Sequence, residues 1–595
     1  MGQSGCNAFK GLGDAFEFGA WKRDYGLYPR GEQIREWYKQ ILDVAKEVGT
    51  SKLAVTSTVR RSVASHVVQM LRVEMFDETV ALADVFHTDG GWPNGWIGVR
   101  RTMRRYKDKM AAPLLARLTK LEERMRPNDL AGLIRSYALS PEWGALDIAE
   151  LEEDEEDKPL QAREKVMEVC NDLGQQLVKA PAQFAAMLPE ILTSESQKTS
   201  ALGRGFAAGC TSLQDCWKQL KDTFLVLPKE RRQAQTLAGF MMSARAIAPE
   251  ETEEFFDAAI ADPELHPYLI YWLIWAGGNP RDFERLTKAI ELDTVPVWTF
   301  SHLAGGRAHE TLNDEQFDKF IQSLTARPDG SVIAAEILGM RIFGLRSDQQ
   351  PVSDQIKATA RNFLRQLQFE HKSSRLGHML GEIVAVSFGK PEHEAEVREF
   401  CNRILEAIKA YKIHVMDIGD VIRELTKAHP ISVFDILVEQ AAEDEDIGHT
   451  LFEDMWSNQA SPLDSVPPDV WLGWAAAKPE TRFIYLVQVI RFSQGNDDDA
   501  STGWSPAAEQ LINTAPDPAK VLDVFMSRFE PTSGWAGSFA NTMASRVPMI
   551  EALTQHPRAE VAAWATENIA KFSDRVARMR ESEAARNRSE HEAFE

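Results

Sequence analysis

Apolar residues recur at steps of three and four along almost the whole chain, and this spacing limits the possible folds more than any other feature of the sequence. One such stripe consists of Ile34, Trp37, Ile41, Ala45 and Val48. This spacing places apolar side chains on one face of an α-helix, whereas a half-buried strand alternates apolar and polar residues. The sequence shows no sustained alternation, so it predicts an all-α protein with helices of modest length that end at Pro, Gly and Asx turns.

A weak internal repeat indicates how these helices are arranged. The tripeptide Leu237-Ala-Gly239 returns as Leu303-Ala-Gly305, and the helix stop at Pro263 returns with a similar offset at Pro328. Helical spacing continues at 354–368, 392–411, 416–427 and 431–442. Repeated units of several helices bury their apolar faces on one another when they stack. We therefore predict an α-solenoid, a HEAT- or TPR-like helical repeat array.

An acidic block differs sharply from the rest of the chain. Eight acidic residues lie between Asp147 and Asp157, and such blocks repel themselves and favour a solvated linker over a packed element. The predicted segments are an irregular N-terminal segment 1–20, an N-terminal helical domain 21–146, an acidic linker 147–160, helical repeats 161–345 and 346–460, Trp-rich C-terminal repeats 461–573, and a polar tail 574–595. We expect this tail to fray or project.

Charge and cysteine content restrict the partners and the compartment. The formal net charge is −22 and the pI is near 5.2, which argues against general nucleic-acid or anionic-membrane binding. The longest apolar run, Tyr268–Ala276, is far shorter than the roughly 20 residues that span a bilayer. Five scattered cysteines suit a reducing compartment, so we expect a cytoplasmic protein without a disulfide framework. Among them, Cys210 and Cys216 lack the close spacing of a redox or zinc motif.

A glycine-rich stretch followed by arginines, 90–107, has the composition of a phosphate loop without its chemistry. Trp96 and Ile97 stand where such a loop needs residues that hold phosphate and magnesium, so a turn that leads into a helix is favoured. Aromatic and arginine side chains often anchor interfaces. The candidate partner-binding residues are Trp92, Trp96, Arg100, Arg101, Arg104 and Arg105. Core packing explains the tryptophans equally well, and a solvated helix face explains the arginines.

Motifs for metals, cofactors and catalysis are absent from the sequence. The pairs His302/His309 and His371/His378 have the spacing to share a helical face, but two turns separate side chains by about 10 Å, too far for one zinc ion. The glycines of Gly203–Gly209 follow no strand, so they favour close helix packing over a dinucleotide site. We therefore expect no metal, no cofactor and no catalytic residue.

Several short motifs, in order, resemble a known family. They are Trp21-Lys-Arg-Asp-Tyr-Gly-Leu-Tyr-Pro29, Gly95-Trp-Ile-Gly-Val-Arg100, Leu121-Glu-Glu-Arg-Met-Arg-Pro-Asn-Asp-Leu130, Leu202-Gly-Arg-Gly205 and Leu237-Ala-Gly239. Together they resemble the helical-repeat region C-terminal to the NTPase core of bacterial STAND-type antiphage proteins, over about Trp21 to Leu345. The resemblance implies a sensor that binds a phage protein and thereby triggers oligomerisation and effector activation.

The chain departs from that family in having no phosphate loop, no magnesium-binding strand and no recognisable effector. We expect either a piece of a longer protein or a detached sensor that works with a separate or upstream NTPase and effector. Recognition of a protein partner is the predicted function. The alternatives are an enzyme, such as a hydrolase or nuclease, with dispersed carboxylates and histidines, and a structural scaffold for host proteins.

Overall fold

The computed structural model confirms the all-α prediction. It describes residues 31–51, 56–67, 70, 75–88, 91–106, 110–140, 158–278, 280–292, 294–369, 374–443, 462–494, 503–530 and 538–594. Within these ranges the extended pairing is one isolated bridge, between Ser493 and Trp504. None of the described helices combines the length and apolarity needed to cross a bilayer.

The helices group into two compact units, the first ending at Arg285 and the second beginning at Leu286. The helices up to this boundary are α1 Gly31–Gly49, α2 Thr56–Ser65, α3 Phe76–Thr88, α4 Pro93–Tyr106, α5 Ala112–Met125, α6 Leu130–Ile134, α7 Lys158–Val178, α8 Pro181–Ile191, α9 Thr199–Gly209, α10 Leu213–Val226, α11 Gln235–Ile247, α12 Pro249–Ala261, α13 His266–Trp275 and α14 Pro280–Glu291, which contains the boundary.

The second unit continues in the same way. Its helices are α15 Asp314–Thr325, α16 Gly330–Ser347, α17 Asp354–Gln366, α18 Ser374–Ser387, α19 Glu394–Lys409, α20 Gly419–Ala428, α21 Pro430–Val433, α22 Pro468–Ala476, α23 Arg482–Val489, α24 Pro506–Thr514, α25 Pro518–Ser527, α26 Phe539–Ala544, α27 Val547–Ala552 and α28 Ala559–Phe594. A 3₁₀ segment, Val297–Ala304, packs on α16.

Helix ends follow the local sequence. At the start of α15 the Asn313 side chain accepts from the Gln316 N–H at 2.9 Å, and the Asn313 N–H donates to Gln316 Oε1 at 3.1 Å. Two backbone N–H groups that have no partner inside the helix are thereby satisfied. Pro181 and Pro249 open α8 and α12, where a missing N–H costs nothing.

In the first unit, several helices pack against the helix two places earlier in the chain, and glycines set the distance between the packed helices. Helices α7, α9, α11 and α13 follow one another in this way, and we call them the glycine layer of the first unit. A Cβ built at Gly203 would collide with the Thr236 carbonyl oxygen, and one at Gly239 with the Ser200 carbonyl oxygen. The backbones of α9 and α11 therefore touch directly, which confirms the prediction that the glycines of Gly203–Gly209 permit close packing.

The second unit has its own glycine layer, formed by the 3₁₀ segment Val297–Ala304, α16, α18 and α20. A Cβ built at Gly339 would lie 2.8 Å from the Met379 Cβ, so α16 and α18 are in close contact. Similarly, a Cβ at Gly377 would collide with the Asp417 carbonyl oxygen, and one at Gly381 would lie 2.7 Å from the Asp420 Cβ. Larger residues at these places would push the helices apart.

Arginines link helices that are distant in sequence by capping carbonyl groups at helix ends. In the second unit Arg327, Arg403, Arg528 and Arg558 all do this. Their acceptors, 37 to 46 residues earlier in the chain, are the carbonyl oxygens of Ile290, Leu364, Val487 and Ile512 respectively. The last carbonyls of a helix have no partner inside it, so each guanidinium satisfies groups that would otherwise depend on water.

The two tripeptides of the predicted repeat lie in different structural elements. Leu237-Ala-Gly239 lies inside α11, whereas Leu303-Ala-Gly305 lies at the end of a 3₁₀ segment, so the two tripeptides have different conformations. The acidic block between Asp147 and Asp157 lies outside the described residues, and the linker stays a prediction. The boundary at Arg285 is not among the boundaries predicted from the sequence.

Residues 574–594 belong to the long helix Ala559–Phe594, so the expectation that this segment frays is wrong, and its projection from the fold stays a prediction. Glu583 in this helix accepts hydrogen bonds from Ser538 Oγ at 2.6 Å and from the Phe539 N–H at 2.6 Å. These bonds cap the start of α26 with a carboxylate, which favours the partial positive charge of a helix N-terminus. The contact anchors the polar segment, and the composition alone did not reveal it.

We expect Gly239→Ala to lower the free energy of unfolding by about 1 to 3 kcal/mol, because the added methyl group meets the Ser200 backbone. Gly473→Ala is the matched control, since Gly473 lies in α22 with nothing within 4 Å of its Cβ position. That change should stabilise its helix by about 0.5 to 1 kcal/mol. Urea denaturation monitored by circular dichroism measures the free energy of unfolding of both variants. Equal changes in this free energy in the two variants would contradict the close-packed layer.

A residue with a left-handed backbone conformation, Gln349, gives a second prediction. Gln349 follows α16 with φ 55°, and the next N–H, of Gln350, returns to the Leu345 carbonyl oxygen at 2.8 Å. Glycine is favoured at this position because it lacks the Cβ that strains the conformation. Gln349→Gly should therefore raise the free energy of unfolding by about 0.5 to 1 kcal/mol, whereas Gln350→Gly should lower it by about 0.5 kcal/mol. A loss of stability in both variants would be inconsistent with a left-handed Gln349.

Candidate recognition surface

The tryptophans proposed as partner contacts lie in the core of the first unit. Trp92 is 3% exposed and Trp96 is 1% exposed. The indole N–H of Trp92 donates to the Arg60 carbonyl oxygen at 2.9 Å, and that of Trp96 donates to Glu122 Oε1 at 2.7 Å. The packing alternative therefore describes both residues, and neither indole is available to a partner in this fold.

The arginines that follow them have less uniform roles. The Arg100 guanidinium lies 4.8 Å from the centre of the Trp96 ring and donates to Tyr137 Oη at 3.4 Å. Arg101 is half-buried, and the side chains of Arg104 and Arg105 lie outside the described residues. Helix α4 ends at Tyr106, so the predicted turn followed by a helix is confirmed. Partner binding by these arginines stays a prediction.

A buried group of charges joins α11, α12 and α14 within the first unit. The Arg245 guanidinium donates to both Asp282 carboxylate oxygens at 3.0 and 2.9 Å. Arg285 donates to Asp282 Oδ1 at 3.1 Å and also pairs with Glu253. Both guanidinium groups lie against the Phe256 ring, at 4.4 and 5.5 Å from its centre. Each charge has a counter-charge within the group, so the group holds the three helices together and leaves no unpaired charge for a ligand.

Removing one member of this group should be costly, because its partners would remain buried without a counter-charge. We expect Arg285→Ala to lower the free energy of unfolding by about 3 to 5 kcal/mol. Lys229→Ala is the control within the same unit, since Lys229 forms an exposed pair with Glu264 and should contribute less than about 1 kcal/mol. Guanidinium denaturation compares the two, and similar losses would show that the buried group is not a structural centre.

The histidine pair His302/His309 lies within the described residues. His302 and His309 lie in separate 3₁₀ segments, so the shared helical face expected from their spacing is wrong. His309 is 1% exposed, and its Nδ1 is 3.0 Å from the Leu303 carbonyl oxygen. His371 lies outside the described residues. Among the described residues no group of three or more His, Cys, Asp or Glu side chains is placed to share a metal ion.

Two cavities lie beside the end of α17 in the second unit. The larger has a volume of about 500 Å³, and its charged lining residues are Glu399, Arg403, Glu406 and Lys412. The smaller has a volume of about 20 Å³, with Asp417 as its acidic lining residue. An enzyme with a dispersed site would bring histidines and carboxylates together in such a pocket. Among the described lining residues neither cavity contains a histidine.

A row of exposed side chains crosses the glycine layer of the second unit. Phe343 on α16 is 42% exposed, and its ring centre lies 6.4 Å from that of His378 on α18. His378 Nδ1 is 3.1 Å from Asp420 Oδ2 on α20, and Arg423 donates to Asp420 Oδ1 at 2.6 Å. We call Phe343, His378, Asp420 and Arg423 the His378 row. A second ion pair, Arg346 with Glu382, joins the same two helices, α16 and α18, at 2.6 Å.

The close packing of the helices explains why these residues meet. Gly377 and Gly381 lie one residue before and three residues after His378 on α18. Since they have no side chains, α18 approaches α20 closely enough for the imidazole to reach the Asp420 carboxylate. The Asp420 carboxylate on α20 and the Phe343 ring on α16 then fix the orientation of His378. They do not bury it, because its side chain is still 53% exposed.

The electrostatics of the row set the tautomer of the histidine. Partial burial acts to raise the pKa of Asp420, but the hydrogen bonds from His378 and Arg423 outweigh it, and the net pKa lies below the usual value. The ionised carboxylate accepts a hydrogen bond from the Nδ1–H of His378, so in the neutral form of the ring the lone pair lies on Nε2. Among the hydrogen bonds of the described residues, none joins Nε2 to a hydroxyl or thiol. The row can therefore offer a polar acceptor beside an exposed aromatic ring.

From the sequence, His378 is predicted only as half of a histidine pair, and the His378 row is not predicted. The available signal was the pattern Gly377-His378-Met-Leu-Gly381, in which two glycines flank a polar residue on one helix. Such spacing brings a neighbouring helix close to the residue between them. Asp420 and Arg423 come from a different helix, so no local pattern connects them with His378.

No protein-family model matches the chain, and no curated protein matches it.

Proposed function

We propose that this protein is a non-catalytic recognition module built as an α-solenoid, and that it binds a protein partner. Two observations support the architecture. Packing of every second helix is the arrangement that two-layer helical repeats produce. The arginine caps join residues 37 to 46 positions apart, close to the length of a HEAT-type unit of about 40 to 47 residues.

The His378 row is the observation that carries the proposed binding site. Helices packed through glycine lie closer together than helices separated by large side chains, so a stack curves toward its glycine layer. The solvent-facing side of α16, α18 and α20 would then be the inner surface of the second unit. Exposed aromatic rings and arginines on a rigid surface are typical anchors of protein interfaces. Trp298, which is 63% exposed, adds another aromatic side chain to this layer.

The chemistry of the partner follows from charge and from the family resemblance. A chain with a formal charge of −22 attracts a basic surface, and such attraction accelerates encounter and weakens with salt. The resemblance to STAND-type sensors favours a phage protein as the ligand, with an NTPase and effector encoded separately or on an adjoining segment. A basic, nucleic-acid-handling phage protein combines these two properties.

Affinity capture with variants of the row tests this function. The purified chain and a Phe343→Ala/His378→Ala variant are each incubated with lysates of phage-infected and uninfected bacteria, and retained proteins are identified by mass. We expect one phage protein from infected cells, retained by the wild type and reduced at least about tenfold by the double variant, because interface anchors typically contribute more than 1.4 kcal/mol. Tyr411→Ala, at a residue that is 85% exposed and is not a member of the His378 row, is the control and should retain it.

The other outcomes separate the alternatives. A host protein retained equally from both lysates would favour a scaffold and contradict the sensor. Equal retention by the wild type and the double variant would show that the His378 row is not the binding site. Once the partner is known, an affinity that does not change between low and high salt would contradict the electrostatic contribution.

A further inference from the structure

A buried histidine joins the two 3₁₀ segments at the start of the glycine layer of the second unit. His309 lies in the segment Ala308–Thr311, and its Nδ1 is 3.0 Å from the carbonyl oxygen of Leu303 in the segment Val297–Ala304. A carbonyl oxygen only accepts hydrogen bonds, so Nδ1 carries the hydrogen and Nε2 carries the lone pair. Among the described residues none offers Nε2 a hydrogen-bond partner. The site therefore accommodates the neutral ring.

Arg341 on α16 holds the segment that carries His309. Its guanidinium donates to the His309 carbonyl oxygen at 3.2 Å and to Asp314 Oδ1 at 3.4 Å. The Arg341 side chain is largely buried, so water screens its charge only weakly. A positive charge on the His309 ring would lie close to this guanidinium and would be repelled by it.

The acidic groups around His309 are already paired. Glu310 and Asp348 both pair with Arg307, and Asp314 pairs with Arg341. The charged and titratable groups that face His309 from its own segment, from Val297–Ala304, from the start of α15 and from α16 and its end are His302, Arg307, Glu310, Asp314, Arg341 and Asp348. Each of the three carboxylates among them thus has an arginine partner, and none pairs with the His309 ring.

These surroundings favour the neutral histidine. Burial lowers the pKa of His309, the hydrogen bond to Leu303 opposes this effect, and the charge of Arg341 lowers the pKa further. A histidine in an unfolded segment titrates near about pH 6.5. The released segment therefore binds more protons than the packed one, so packing is most stable above about pH 6.5 and weakens as the pH falls below it.

We propose that protonation of His309 in mildly acidic solution releases both 3₁₀ segments from α16, so that they act as a pH-sensitive latch. A protonated ring would carry an Nε2–H without an acceptor and a buried charge without a counter-charge. The segment Val297–Ala304 contains the exposed Trp298 and packs on α16, which carries Phe343 of the His378 row. Acid would thereby weaken partner binding at this surface. That regulation rests on the proposed function, whereas the release itself does not.

Hydrogen–deuterium exchange of the full chain at about pH 7.5 and about pH 5.5 tests the latch without a partner. Exchange of each peptide is divided by that of the same peptide from unfolded chain at the same pH, which removes the intrinsic effect of pH. We expect protection of 297–312 to fall by about tenfold, because one pH unit below the pKa of an unfolded histidine shifts the equilibrium by that factor. Peptides from α7 and α9 should keep their protection.

A measurement on separate peptides is needed because another histidine has similar properties. Burial also lowers the pKa of His393, which precedes α19, and its Nδ1 is buried without a hydrogen-bond partner among the described residues. A global unfolding curve would combine the two effects. Peptides from 297–312 report on His309, since His393 lies outside that range.

Two variants assign the effect to one ring. His309→Gln removes the titrating group and keeps an amide that can donate to the Leu303 carbonyl oxygen, so protection of 297–312 should no longer depend on pH. His302→Gln is the matched control, because His302 lies in the neighbouring segment and burial also lowers its pKa. It should keep the fall of about tenfold. His309→Asn replaces the first variant if circular dichroism shows that His309→Gln is unfolded at neutral pH.

The remaining outcomes overturn the latch. Equal protection of 297–312 at both pH values in the wild type would do so, as would a loss that persists in the variants at His309 or disappears in His302→Gln. A uniform loss along the whole chain would indicate acid unfolding in place of local release. All these results come from the chain alone, so they stand whether or not a partner is captured by the His378 row.

Discussion

Direct contact between helix backbones is the constraint on which the rest of each unit depends. At Gly203, Gly239, Gly377 and Gly381 a single added methyl group would strike a neighbouring helix. Packing without side chains between the helices gains dispersion contacts over the whole length of the contact and leaves little tolerance for shifts. The large apolar residues then fill the space on the opposite side of each layer, as Phe206 and Phe240 do in the first unit.

The same constraint separates residues that hold the fold from residues that can act on a partner. The charges around Arg285 are buried and mutually satisfied, so they contribute to the positions of α11, α12 and α14. The charged side chains around His378 lie on the solvent side of closely packed helices. The positions of the helices hold these side chains in place but leave them accessible to solvent. Side chains that are ordered before binding lose less conformational entropy in an interface, which favours recognition by such a surface.

Helix content was readable from the sequence because each helix carries its own apolar period, and α17 and α19 lie within a few residues of their predicted bounds. The packing role of Gly203 was also readable, since no strand precedes it. The exposure of side chains was not readable from the sequence. The spacing of Trp92 and Trp96 fits a core and an interface equally well, and only their hydrogen bonds to Arg60 and Glu122 show that they lie in the core. The His378 row depends on contacts between separate helices, which no local pattern encodes.

The central claim is that the solvent side of the glycine layer in the second unit receives a protein partner. Hydrogen–deuterium exchange of the chain alone and in its complex tests this most directly, because it reports protection helix by helix. The account predicts that binding slows exchange in peptides from α16, α18 and α20, with little change in α15, α17 and α19. Protection confined to the latter three helices, or to the first unit, would contradict it.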